Sequence, residues 1–444
     1  MTTKIIVLDD DPTGSQTVHG CLLLTQWDPD TLALGLRDPS PIMFVLTNTR
    51  SLSPEQAAAT TRSVCQSLRM ALAATQVADF IVVSRSDSTL RGHYPIETDV
   101  IAEELGSFDA HFLIPAFFEG GRITRNSIHY LKVEGNWIPV HETEFARDSV
   151  FGYRHSYLPD YVAEKTQGRI PAEQVQCFTL TEIRDPDSER RLGRLRALQG
   201  NCCGVVDGEE QADLDQFAAD LKAVAAEGKR FLLRSAASIL TALAQLPPQP
   251  IAAQQMSQLT RTARPGVVMV GSHVQKTTQQ LDRLLQEPDV EGIPIEIELL
   301  AHDPNQAEQL LKTTLADVDR IQSMDKTPVV YTSRKEITFA DAETRLAFGQ
   351  AVSELLMEVE RGLPADIGFL ISKGGITSND TLSKGLAVSA IRLLGQIAPG
   401  VSVVQTASDH PHFPQLPVVL FPGNVGDADT LAQVYRRLRV PKNL

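Results

Sequence analysis

Apolar residues fall into two alternating patterns along this chain. Short runs in which nearly every position is apolar recur at Ile5–Leu8, Met43–Leu46, Phe80–Val83 and His111–Ile114. They are too short and too uniformly apolar for surface helices, and read as strands buried on both faces. Between them lie longer stretches with helical periodicity. Ser53-Pro-Glu-Gln opens one with an N-cap serine, a proline at the first helical position and Gln56 placed for a capping box. Its apolar stripe continues through Val64, Leu68 and Leu72. Such alternation predicts a parallel sheet with crossover helices.

The pattern is broken at Pro247-Pro-Gln-Pro250, where prolines remove backbone donors and stiffen the chain. It then resumes, with strands predicted at Val267–Val270, Val329–Tyr331, Ile367–Ile371, Val401–Val404 and Val418–Phe421. Asp303-Pro-Asn-Gln is placed to cap a helix running to about Met324, and helical patterns cover Gln279–Leu285, Leu382–Leu394 and Leu431–Leu438. A length of 444 residues exceeds what one core usually supports. Two α/β domains are expected, each a mostly parallel or mixed sheet flanked by helices: residues 1–246, a linker at 247–264, and residues 265–444.

Charge and cysteine content narrow the function by exclusion. A net charge of −14 argues against a nucleic-acid or anionic-membrane surface, so an anionic substrate must be held by a few placed Arg and Lys residues. The opening apolar run is far too short for a signal peptide, and no stretch is apolar for long enough to span a bilayer. Cys21, Cys65, Cys177, Cys202 and Cys203 are odd in number without CxxC spacing, the pattern of reduced thiols in a cytoplasmic protein. Small molecules are the expected partners, with neither nucleic acid nor membrane; a homodimer is left open.

Candidate chemistry clusters just after the predicted strands, the edge where open α/β sheets bind ligands. Leu8-Asp-Asp-Asp-Pro-Thr-Gly-Ser puts three consecutive carboxylates before a tight turn. Carboxylates there can accept hydroxyl hydrogen bonds, hold Mg²⁺ or take a proton from an attacking hydroxyl; the bland reading, a solvated cap, suits one Asp better than three. Ser84-Arg-Ser-Asp-Ser-Thr-Leu-Arg-Gly92 offers Arg85 or Arg91 as a bidentate carboxylate clamp, against the equally weighted reading of a surface loop with a salt bridge. Pro115-Ala-Phe-Phe-Glu-Gly-Gly-Arg adds Gly120, Gly121 and Arg122, with Arg125 beyond. His141-Glu-Thr-Glu-Phe fails the HExxH zinc pattern, and His410-Pro-His412 reads as a surface loop.

The second half carries three strand-to-helix turns rich in Gly, Ser and Thr: Val270-Gly-Ser-His, Ser372-Lys-Gly-Gly-Ile-Thr-Ser378 and Phe421-Pro-Gly-Asn-Val-Gly-Asp427. One alone signals only a turn. Three on one sheet edge point to phosphate binding at helix N-termini, with Lys373 as an added charge. GxxxxGK[ST], GxGxxG and the protein-kinase signatures are absent.

At these residues the chain resembles the four-carbon acid sugar kinase family along nearly its whole length. The resemblance rests on Asp10-Asp-Pro-Thr-Gly, Asp87-Ser-Thr-Leu-Arg-Gly, Pro115-Ala-Phe followed by Gly-Arg-Ile-Thr, Glu142-Thr-Glu-Phe-Ala-Arg-Asp148, Gly271-Ser and Lys373-Gly-Gly-Ile-Thr. It implies an N-terminal acid-sugar-binding domain, a C-terminal ATP-binding domain, and phosphorylation of the terminal hydroxyl of a tetronate-type acid with ATP and Mg²⁺. Asp10 and Asp11 become the candidate catalytic residues, and Thr13, Gly14, Arg85, Asp87, Ser88, Arg91, Gly92 and Arg122 the candidate substrate contacts. Ser272, His273, Lys373, Gly374, Gly375, Ile376, Thr377, Gly423, Asn424 and Gly426 are the candidate nucleotide contacts. Two departures stand out: Arg85 occupies a position often held by Lys, and Leu420-Phe-Pro-Gly-Asn-Val-Gly replaces a usual Lys-Ser-Gly-Gly-Phe-Gly. The rival readings are an NAD(P)-dependent sugar-acid dehydrogenase or epimerase, disfavoured by the missing GxGxxG, and a non-catalytic sugar-acid binder, disfavoured by the clustered acids.

Overall fold

The structure, a computed structural model, describes residues 3–11, 14–303, 305–334, 337 and 342–440. The chain divides into two units, Met1–Pro247 and Pro248–Leu444. Strands of the first unit are β1 (Lys4–Asp9), β2 (Leu22–Leu24), β3 (Ile42–Leu46), β4 (Phe80–Arg85), β5 (Ala110–Ile114), β6 (Arg122–Arg125), β7 (Ile128–Val133), β8 (Asn136–Pro139), β9 (Gln176–Phe178), β10 (Cys202–Val206) and β11 (Phe231–Ser235). Strand order is β2-β3-β1-β4-β11-β5-β10-β9, parallel throughout. The central strands are buried along their length, as uniform apolar runs require. Phe112 anchors the core, its ring 5.4–5.6 Å from those of Phe178, Phe217 and Phe231. Strands β6, β7 and β8 form a separate antiparallel ribbon that the sequence pattern did not predict.

The helix Pro54–Thr75 forms as its sequence predicts. Ser53 Oγ accepts from Gln56 N–H at 3.3 Å, Gln56 Oε1 accepts from Ser53 N–H at 3.1 Å, and Val64, Leu68 and Leu72 are buried. Burial of such a side chain contributes about 1.5–3 kcal/mol.

The second unit contains β12 (Val267–Val270), β13 (Val290–Ile295), β14 (Thr327–Thr332), β15 (Leu370–Lys373), β16 (Ala390–Ala398), β17 (Val401–Gln405) and β18 (Pro417–Phe421). Their order is β13-β14-β12-β15-β18-β17-β16. The first five are parallel, while β17 runs antiparallel to both neighbours. Val268, Val270, Ile371, Val419, Phe421 and Tyr435 share the core, joined by Met256 from the stretch expected as linker.

Two expectations are corrected here. The helical pattern assigned to Leu382–Leu394 ends at Gly385, and Ala390–Ala398 is a strand. Ala387 with φ +49° interrupts the helix, and beyond it Ile391, Leu393 and Ile397 are buried while Arg392, Leu394 and Gln396 are half-exposed, a period of two. The strand expected at Ile367–Ile371 lies at Leu370–Lys373, because Ile367 sits in a turn closed by its N–H on Pro364 O. Among the described residues no helix is long and apolar enough to cross a membrane.

Candidate functional site

Because β1, β3, β4, β5 and β11 are parallel, the loops following them emerge on one edge of the first unit's sheet. Asp9 closes β1 and is fully buried. Burial pushes its carboxyl up to about 7; Arg85 opposes that shift, and Asp10 and Asp11 add to it. Arg85 Nη1 lies 3.4 Å from Asp9 Oδ1 and 3.8 Å from Asp10 Oδ1, while Arg85 Nε is buried without a hydrogen-bond partner. Asp10 is also buried. Its carboxylate takes a fork from Arg50, Nη2 to Oδ1 at 2.5 Å and Nε to Oδ2 at 3.2 Å, and a hydrogen bond from Ser86 Oγ at 2.8 Å. Asp11 receives Arg50 Nη1 at 3.1 Å and keeps 23% of its side chain exposed.

The loop after β4 carries the second group. Arg91 Nε donates to Asp87 Oδ2 at 2.8 Å, Arg91 Nη1 lies 3.8 Å from Asp148, and the Arg91 guanidinium sits 4.9 Å from the Phe145 ring centre. Burial would raise the Asp87 carboxyl, but Arg50 and Arg91 outweigh it and hold the group well below the usual carboxylate range. Arg122 donates to Gly120 O and lies over Phe117, its Nε buried without a partner. Ser88 is buried, with its carbonyl accepting from His129 Nε2 at 2.8 Å. Burial lowers His129 to about 4, so the ring is neutral and its Nδ1 accepts from Thr124 Oγ1. Two glycines permit the close packing. A Cβ at Gly14 would lie 2.2 Å from both Asp9 carboxylate oxygens; one at Gly92 (φ +134°) would lie 2.4 Å from Ser86 Oγ and 2.5 Å from Arg234 Nη2.

Asp10, Asp11, Gly14, Arg85, Asp87, Arg91 and Gly92 thus belong to one charged cluster, and Arg122 lies close enough to Asp87 and Arg91 to feel their charges. Thr13 lies outside the described residues. The sequence reading missed Arg50, Ser86 and Arg234. Arg234, near the end of β11, donates to Ser84 Oγ and Ser86 Oγ at 2.7 Å each and to Glu97. Arg50 follows a buried strand as the chosen loops do, a signal that could have found it; Arg234 announces itself only as a cation at the end of an apolar run.

In the second unit β12, β15 and β18 are adjacent and parallel, so the three glycine turns are neighbours. A Cβ at Gly271 would lie 2.3 Å from Thr377 Oγ1; one at Gly374 (φ +130°) would meet Thr377 Oγ1 at 2.9 Å and Ser272 N at 3.3 Å. Thr277 Oγ1 donates to Gly423 O at 3.2 Å and lies 3.2 Å from Ser272 Oγ, and Gln280 Nε2 donates to Val425 O and Asp427 O across Gly426. Lys276 Nζ reaches Asn424 O at 3.4 Å. Lys373 is buried, and its ammonium donates to Pro422 O at 2.5 Å and Gly423 O at 3.1 Å, tying the second turn to the third. Burial, then Lys276, lowers its pKa to about 7. His273 contacts Thr332 Oγ1 and Ser333 O, and burial followed by Arg334 lowers its pKa. Arg334 donates to Ser272 O, with its Nε and Nη2 buried and unpartnered. Gly375 opens the helix Gly375–Asp380, and Ile376 on it is 73% exposed. Beside these turns a cavity of about 550 Å³ is lined by Ile297, Phe348, Val352, Leu356, Met357 and Ile376 among others. No group of three or more His, Cys, Asp or Glu side chains among the described residues is arranged to hold a metal ion.

Residues 5–243 match the family model described as a sugar-binding N-terminal domain, and residues 267–431 the one described as a nucleotide-binding C-terminal domain. The chain is 23% identical over 452 residues to D-erythronate kinase of Heliobacterium modesticaldum, covering 96% of this chain and 95% of that protein. A putative tRNA synthase from Salmonella typhimurium LT2 has the same fold, with TM-score 0.71 and 20% identity over 99% of this chain and 100% of that one. Haemophilus influenzae protein HI1011 follows with TM-score 0.64 and 18% identity over 98% and 100%. At such identities the two structures bear on fold alone.

Proposed function

The chain belongs to the four-carbon acid sugar kinase family, and from that premise we propose that it transfers the γ-phosphoryl group of ATP to the terminal hydroxyl of a small, four-carbon sugar acid. The observation that carries this reading is the division of labour among the first unit's carboxylates. Asp10 is buried and engaged on both oxygens, so it fixes Arg50; Asp11, on the same guanidinium, keeps part of its side chain exposed. Asp11 is therefore our candidate base, orienting the acceptor hydroxyl and taking its proton as the new P–O bond forms. A strong base is not needed, because phosphoryl transfer depends mostly on positioning and charge neutralisation. Arg91, pre-set by Asp87, Asp148 and Phe145, with Arg122 beside it, suits the acid's carboxylate. Arg85, facing Asp9, is assigned to balancing the buried acids.

The second unit's residues fit a nucleotide. Gly271 and Gly374 let the first two turns close on Thr377 and Ser272, Lys276 and Arg334 flank the turns with positive charge, and the apolar cavity suits a base. ATP supplies the transferable phosphoryl group, and Mg²⁺ would be held mainly by phosphate oxygens and water, as that ion commonly is. Five unpaired cysteines fit a cytoplasmic enzyme.

A coupled ADP-release assay across the stereoisomers and oxidation states of four-carbon acids tests the reading. Acid-dependent release is expected for at least one of them. Asp11→Asn should cut turnover roughly 10²- to 10⁴-fold while nucleotide affinity stays unchanged. Silence across the panel would remove the kinase assignment, and a fully active Asp11→Asn protein would remove the base.

A further inference from the structure

The acid-binding loop after β4 is held by its backbone from below. Three consecutive carbonyls each accept from a buried side chain of a later segment: Ser88 O from His129 Nε2 at 2.8 Å, Thr89 O from Tyr153 OH at 2.7 Å, and Leu90 O from Tyr161 OH at 2.9 Å. At the far end Ser86 Oγ, its one proton shared between the two acceptors, lies 2.8 Å from Asp10 Oδ2 and 2.9 Å from Arg91 O. Within this stretch Leu90 has φ +67°, a left-handed conformation that a branched side chain adopts only when its surroundings enforce it. It stands one residue before Arg91 and three after Asp87.

We propose that Tyr161 is a positioning residue for sugar-acid recognition, its hydroxyl holding Leu90 in the left-handed conformation that aims Arg91 at the substrate, with Tyr153 doing the same one carbonyl earlier. This rests on the sugar-acid kinase reading above. The hydroxyl can be separated from the ring. Tyr161 stacks on Tyr94 at 6.1 Å, meets Tyr153 edge-on at 5.6 Å, and shares a core with Leu113, Leu158 and Val162. Phenylalanine keeps all of that packing and loses the donor alone. Without the donor, Leu90 O is an unpaired buried acceptor next to a strained residue, and the loop relieves both by relaxing. The substrate must then restore the loop on binding, which weakens acid affinity and leaves the chemical step intact once the acid is bound.

The test compares wild type, Tyr161→Phe, Tyr153→Phe and the control Tyr435→Phe, whose hydroxyl serves Asp289 in the other unit. With D-erythronate and the other four-carbon acids, Tyr161→Phe should raise the acid KM about tenfold and hold kcat within about twofold, with the ATP KM unmoved. Tyr153→Phe should move the same way, and Tyr435→Phe should leave the acid KM alone. Without any acid, hydrogen exchange across residues 87–94 should quicken at least about fivefold in Tyr161→Phe while the strands of that unit keep their protection. An unchanged acid KM, or a fall in kcat with both KM values in step with lost stability, overturns the proposal. If wild type releases no ADP with any acid, the kinase reading falls by itself. The exchange comparison then decides whether Tyr161 holds the loop, and unaltered exchange rejects that too.

Discussion

Burial decides what each acidic side chain can do. Glu360 is fully buried in the second unit, with Oε2 accepting from Thr381 Oγ1 at 2.8 Å and Oε1 without a partner. Burial pushes its carboxyl from 4.5 up to about 8. The folded chain therefore keeps a proton through a range in which the unfolded chain has lost it. The stability tied to this group is complete below pH 4.5 and is lost as the pH rises through 8, a change on the order of 5 kcal/mol. Glu360→Gln copies the neutral acid and should remove that slope: measured by urea midpoints, its stability relative to wild type should improve from pH 5 to pH 9. Parallel curves for the two proteins would show that Glu360 titrates normally. Environments of this kind are not legible in a sequence. Asp9, Asp10 and Asp11 are one run of letters, yet one is buried with its pKa near 7, one is forked to Arg50, and one is partly exposed. Its place after a strand could have marked Arg50, but its partner Asp10 is distant in sequence, as are Asp10 for Ser86 and Glu97 for Arg234, and these pairs meet only through the fold.

Turns were more legible than the elements between them. The glycines flagged after β1, β12 and β15 occupy positions where backbone and side chain approach closely, and that constraint is local enough to leave a trace in composition. Strand β16 was misread because Leu382, Leu386, Leu393 and Leu394 mimic a helical spacing, while its true signal, a period of two, begins only after Ala387. The antiparallel ribbon β6–β8 was missed because its strands are short and mix polar with apolar residues in no sustained alternation. The turns invite a paired test. Gly14→Ala drives a methyl group into the Asp9 carboxylate beside the proposed acid site; Gly374→Ala adds one against Thr377 and Ser272 at a backbone angle that alanine resists. The expected outcome is a crossed pattern in steady-state kinetics. Gly14→Ala should raise the acid KM by about tenfold or more with the ATP KM little changed, and Gly374→Ala the reverse. If both variants shift both constants equally, the two turns do not serve separate ligands.

Each unit has its own core and its own set of loops following parallel strands, so each ligand should announce itself on its own unit. A ligand that binds only the native state stabilises it by RT ln(1 + [L]/Kd), about 2.7 kcal/mol at a hundredfold excess over Kd. That gain is read most directly where local opening is needed for amide exchange. An active four-carbon acid added alone should slow exchange in the loops around Asp10–Gln16 and Arg85–Tyr94, and Mg²⁺-ADP alone should slow it around Gly271–Thr277, Lys373–Asp380 and Phe421–Asp427. The net charge of −14 makes salt informative as well, because neither anion is drawn in by the protein's overall field. In the proposed reading the contacts that hold them are local guanidinium and ammonium groups, several half-buried and screened less than surface charges, so raising ionic strength from 0.05 to 0.2 M should weaken acid binding by only about twofold to fivefold. Acid protection confined to the glycine turns of the second unit would reverse the assignment of ligands to units. A loss of acid binding much steeper with salt would mean that exposed charges, and not the Asp87–Arg91 cluster, capture the substrate.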